Sequence, residues 1–185
     1  MHRAISNAAL TAALVCLMAP LHAGEPAATA GTPTPPPHLL ERFKALAGDW
    51  SATGLDGNSI PNAHLRYEVS AAGNAVVETQ FPGTPHQMTT VFTRDGDDVV
   101  LHHFCASGNH PRMRAKPVGG NDVAFAFDGA SNFDPTQAGH MHDATFQFVG
   151  SDELRVHWQF WQGGKPSAEV ADMHVRRVAP TPAAN

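Results

Sequence analysis

Leu39-Leu40-Glu41-Arg42-Phe43-Lys44-Ala45-Leu46-Ala47-Gly48-Asp49-Trp50 contains the change of period that decides the fold. Up to Leu46 the apolar residues Leu39, Leu40, Phe43 and Leu46 recur at the spacing of one helix face, and Gly48 is a natural stop for that helix. From Trp50 onward the apolar residues alternate or form short β-rich runs, separated by turn residues at regular intervals. The reading predicts strands over Trp50–Gly54, His64–Ser70, Ala75–Phe81, Gln87–Thr93, Val99–Cys105, Arg112–Pro117, Asp122–Phe127, His140–Val149, Glu153–Trp161 and Glu169–Val178. Gly73-Asn74, Asp95-Gly96-Asp97, Gly119-Gly120-Asn121, Gly150-Ser151-Asp152 and Gly163-Gly164 supply the turns between them. Most links are short enough for antiparallel neighbours. An open sheet of ten such strands would leave unpaired edges, which closure into an up-and-down barrel removes. The expected fold is therefore all-β: a barrel of about ten antiparallel strands with one short N-terminal helix, wide enough for a ligand cavity.

The 185 residues make one domain's worth of chain. Residues 1–23 read as a cleaved secretory signal peptide: Arg3 starts it, Ala8 to Met18 is apolar apart from Thr11, and Leu21-His22-Ala23 ends it. That apolar run is too short to span a membrane. A lipoprotein would need Cys16 as the acylated residue, and bulky Val15 stands where a small residue is expected. A periplasmic or secreted location follows. Residues 24–37, rich in Pro, Ala and Thr, read as a disordered linker. The barrel domain is placed at 38–179 and a disordered tail at 180–185. A net charge of −5 speaks against a nucleic-acid partner.

Chemistry concentrates in two runs, His102-His103-Phe104-Cys105 through His110-Pro111-Arg112-Met113, and His140-Met141-His142-Asp143. They hold five of the twelve histidines, and Cys105 is left without an intrachain partner once the leader is gone. Residues two apart share a face of a strand. His103 and Cys105 therefore pair, as do His140 and His142, the latter in line with Phe146 and Phe148. If both pairs face the interior, His103, Cys105, His140 and His142 line a lumen or bind a soft transition metal. The competing reading is a polar interior whose imidazoles bond one another and water. Arg112 is a fork for a carboxylate or phosphate, with Asp143 or Glu169 as internal partners if it points inward. Trp158 should join the core with Leu154, Val156 and Phe160, and the long connection Asp128–Gly139 is a candidate lid. No hydrolase, zincin, phosphate-loop or dinucleotide motif occurs, so enzymatic use of Cys105 with His103 or His140 ranks below ligand binding.

The short helix, Leu46-Ala47-Gly48-Asp49-Trp50 and the β-rich remainder resemble the calycin superfamily: lipocalins, fatty-acid-binding proteins and nitrobindin-type haem barrels. There a Gly-x-Trp opens the first strand and a basic residue of the last strand packs over the indole. The resemblance implies a plug of Trp50 beneath Arg176 or Arg177. The chain is most similar to lipocalin-like bacterial proteins of unknown function, which carry His-aromatic-Cys and Asn-x-Pro-Arg-Met, here His103-Phe104-Cys105 and Asn109-His110-Pro111-Arg112-Met113. It implies a lumen holding a hydrophobic or anionic small molecule, and no activity. His174 stands roughly where nitrobindin-type barrels place their haem ligand, although Asp172-Met173-His174-Val175 departs from their pattern.

Overall fold

A computed structural model describes residues 37–117 and 120–179, which belong to the unit beginning at Pro36. The expected leader 1–23, nearly all of the linker 24–37 and the tail 180–185 lie outside the described residues. Helix α1 (Leu40–Lys44) is followed by β1 (Gly48–Thr53), β2 (Ser59–Ser70), β3 (Ala75–Gln80), β4 (Met88–Asp95) and β5 (Asp98–Phe104). Then come β6 (Pro111–Pro117), β7 (Asp122–Ala130), β8 (His140–Phe148), β9 (Glu153–Gln162) and β10 (Lys165–Arg177). Every strand pairs antiparallel with its sequence neighbour, and β1 with β10 closes the ring. The all-β, ten-stranded, up-and-down barrel expected from the turns is thus what the chain forms.

The hairpins obey local rules. Gly163 and Gly164 both take positive φ (60° and 73°), as a two-residue turn matched to strand twist requires, and Gln162 pairs with Lys165 across it. Four ladders carry irregularities: the register shifts between Ser51 and Thr53 on β1, between Pro166 and Val170 on β10, between Arg112 and Met113 on β6, and between Met141 and Asp143 on β8.

One end of the barrel is filled by α1. Leu40, Phe43 and Leu46 are buried with Phe92, Phe125 and Phe146. Phe43 stacks on Phe92 at 4.4 Å between ring centroids and meets Phe125, Phe146 and Phe148 edge-on. Five residues make too short a helix to stand alone, so this burial is what holds it. Trp50 beside it is fully buried, and its Nε1 donates to the Leu46 carbonyl at 2.7 Å.

Of the two candidate arginines, Arg177 carries the cation over the indole, at 4.3 Å from the ring centroid. It also donates to the carbonyls of the C-cap Ala45 and of Ala47 just past the helix, and pairs with Asp152. Arg176 projects outward, 66% exposed, with Glu153 at 4.0 Å.

Candidate functional site

The opposite end holds a cavity of about 400 Å³, framed by the end of β1, the start of β2, the facing ends of β3, β4 and β5, and parts of β8, β9 and β10. Its wall is mostly apolar: Ile60, Phe81, Met88, Met141, Trp158 and Met173 contribute. At the packing density of protein interiors, about 0.74, it suits an occupant of on the order of fifteen non-hydrogen atoms. Both its size and its concavity match small-molecule sites.

Behind this wall a polar rung crosses four strands. Tyr67 on β2 is the register partner of Glu78 on β3, Glu78 of Thr90 on β4, and Thr90 of His103 on β5. All four are buried. The Tyr67 hydroxyl donates to Glu78 Oε1 at 2.6 Å, and Thr90 Oγ1 lies 2.9 Å from His103 Nδ1. Burial pushes the Glu78 carboxyl above its usual range, against the opposing pull of Tyr67, Thr90 and Gln80. Burial, with the charge of Glu78, also raises the Tyr67 phenol. Desolvation alone pushes His103 down to about 4, so its ring is neutral at pH 7.

The rung and the wall beside it are incompletely satisfied, and within the rung Glu78 Oε2 also lacks a hydrogen-bond partner among the described residues. His103 Nε2, Gln80 Nε2 and Trp158 Nε1 are all buried without a hydrogen-bond partner among the described residues. All three residues line the cavity. The His103 and Trp158 rings lie 4.6 Å apart. Unpaired buried polar atoms cost about 1–3 kcal/mol each, so three on one wall mark a place where a partner binds, whether water or ligand.

His140 and His142 do come together, but away from this wall. His140 Nδ1 donates to the Ala138 carbonyl at 3.0 Å, and its Nε2 meets His142 Nδ1 at 2.9 Å. The carbonyl fixes the direction: His140 Nδ1 carries the hydrogen it donates, and its Nε2 accepts from His142 Nδ1–H. His142 is sandwiched between Phe127 and Trp161, at 4.6 and 3.7 Å. Burial holds His142 below the usual histidine range, with Asp143 opposing. The physical reason for their separation from the cavity is the shift between Met141 and Asp143, which breaks the two-residue alternation at His142. Met141 lines the cavity, and His140 and His142, expected there, do not.

The remaining candidates are dispersed. Cys105 follows the end of β5, half-buried, where its N–H bonds the Asn109 carbonyl. Arg112 lies on the outer face of β6 between buried Pro111 and Met113. Its anion is Asp128 at 3.2 Å, neither Asp143 nor Glu169, and with His102 and His110 it borders a small surface pocket of about 150 Å³. Desolvation and the nearby charges of Arg112 and His110 depress His102. The connection Asp128–Gly139 is no lid: Asp128–Ala130 end β7, Asn132 and Gly139 pack on the β5–β6 turn, and none of these residues lines the cavity.

Among the described residues, no three of the His, Cys, Asp and Glu side chains form a group that suits a metal ion, so the tetrahedral set expected from His103, Cys105, His140 and His142 is not assembled. A haem does not fit His174 either. That ring lies between buried Met173 and Val175 on the outer face and is held by Glu153 at 2.8 Å.

Sequence reasoning found His103 and missed Tyr67, Glu78, Gln80 and Thr90. The available signal was a polar residue at an apolar phase of a strand: Glu78 and Gln80 share the face of Val76, and Thr90 that of Phe92. No known protein-family model matches the chain, and a search of curated protein sequences finds no match.

Proposed function

We propose that this chain is an exported, calycin-type barrel that holds a small, largely apolar molecule in the cavity beside His103 and Trp158. One observation carries the reading: an apolar cavity of about 400 Å³ whose wall contains three buried nitrogens without partners. The α1 end is filled by aromatic rings, which leaves this end for entry. No helix among the described residues is long and apolar enough to cross a membrane. The leader-like segment 1–23 and the Gly-x-Trp with its capping arginine support export and the calycin relationship.

The test uses full-length chain expressed with its leader. Recovery outside the cytoplasm with Gly24 as first residue supports export, and uncleaved cytoplasmic chain overturns that half. The recovered protein is titrated with N-phenyl-1-naphthylamine, a neutral fluorophore of suitable size. A saturable, blue-shifted gain in emission that Ala171→Trp suppresses is expected. A fluorophore that never saturates, or an Ala171→Trp variant that binds as well as the parent, rules out the cavity as the site.

A further inference from the structure

The chemistry of the cavity wall says more than that something apolar fits. Trp158 Nε1 carries a hydrogen and can only donate; the Gln80 amide nitrogen is likewise a donor. Both are buried without partners and both residues line the cavity. His103 Nε2 stands with them, its ring fixed from behind by Thr90 at 2.9 Å. An occupant that satisfies the Trp158 and Gln80 donors therefore brings a hydrogen-bond acceptor.

The charge of that acceptor is also constrained. The charged side chains lining the cavity are Asp56 and Asp172, both acidic, and the described lining contains no lysine or arginine. Glu78 lies directly behind, the next inward residue to Gln80 on β3. Asp172 is engaged by His157 at 2.7 Å, and Asp56 by Asn58 at 2.6 Å. His103 is neutral at pH 7, so it offers a carboxylate no counter-charge. An anion in this cavity would lose its hydration and face carboxylates. The anion-binding fork expected of Arg112 is on the outer face.

We propose that the ligand is an uncharged carbonyl compound (ketone, aldehyde, ester or amide) whose oxygen accepts from Trp158 and Gln80 at the His103 wall while its hydrocarbon part packs on Met88, Met141 and Met173. The thioether side chains are the adaptable part of the wall, able to shift as the occupant enters. The inference rests on the cavity being the ligand site.

Displacement of N-phenyl-1-naphthylamine from the full chain tests it with three nine-carbon-chain probes: 2-nonanone, its isostere 2-methyl-1-nonene, in which a methylene replaces the carbonyl oxygen, and nonanoate at pH 7.5. The ketone should displace the fluorophore at concentrations at least about tenfold below nonanoate. In Trp158→Phe and, separately, in Gln80→Met, the ketone should weaken by about tenfold and the alkene by less than about threefold. Nonanoate binding as tightly as the ketone would overturn the proposal. So would equal losses for ketone and alkene, which would mean that water alone satisfies the wall. In either case fluorophore uptake persists and the ligand-site reading stands; if the parent chain takes up no fluorophore, both fall.

Discussion

His103 sits where two requirements meet: its ring is almost wholly buried, and one of its nitrogens has no partner. Because burial lowers its pKa from 6.5 to about 4, the unfolded chain binds the proton first as the pH drops. The associated stability is complete above about pH 6.5 and is lost as the pH falls through about 4, a swing on the order of 3 kcal/mol. Glu78 acts in the opposite direction. Its raised pKa favours the protonated folded form, so its contribution is present below the ordinary carboxylate range and fades as the pH rises through the raised value. In His103→Gln, the difference in unfolding free energy between pH 7.5 and pH 4, measured by urea titration, should shrink by about 3 kcal/mol. An unchanged difference would show that His103 titrates in the fold as it does in the unfolded chain, so that burial does not hold its ring neutral below about pH 6.5. The sequence revealed His103 through its neighbours in a histidine-rich run. It concealed Glu78 and Thr90, because a row across strands joins residues that lie far apart in the chain, and only the register aligns them.

At the level of elements, turn residues made all ten strands legible, because each turn is a local decision of a few residues. Side-chain direction on β8 was not legible. A single extra residue between Met141 and Asp143 changes which side chains reach the cavity, and nothing in His140-Met141-His142-Asp143 announces it. The alternation on β5 holds without such a break, so Leu101 and His103 share the buried face that the two-residue period sets. Helix α1 depends on the same kind of cross-chain fixing. The carbonyls of its C-cap Ala45 and of Ala47 just beyond accept from Arg177, whose guanidinium also covers Trp50 and pairs with Asp152. Arg177→Ala should therefore cost about 2 kcal/mol or more in chemical denaturation, from charged hydrogen bonds and the cation–π contact together. Arg176→Ala, next in sequence but exposed, should stay within about 0.5 kcal/mol. Equal costs for the two would mean that the cap on Trp50 does not hold the helix to the barrel.

Across the whole molecule the two ends of one barrel serve different ends of the same problem. Closure uses up every strand edge, so stability does not require the interior to be filled throughout. The α1 end is packed with aromatic rings, and the other end keeps its space. One substitution made in both regions separates them. Ala144, 1% exposed, is buried in the packed interior, paired in register with Phe125 of the filled end and with Trp158. Ala144→Leu should cost about 1–3 kcal/mol, because added methylenes in a packed interior force neighbours off their rotamers. Ala171 lies on the cavity wall and packs at the margin of the core. Ala171→Leu adds the same atoms into open space, so thermal and urea unfolding should change by less than about 1 kcal/mol while N-phenyl-1-naphthylamine binding weakens. Should Ala171→Leu destabilise as much as Ala144→Leu, the cavity would be space the native barrel cannot spare, and the fold would be packed alike at both ends.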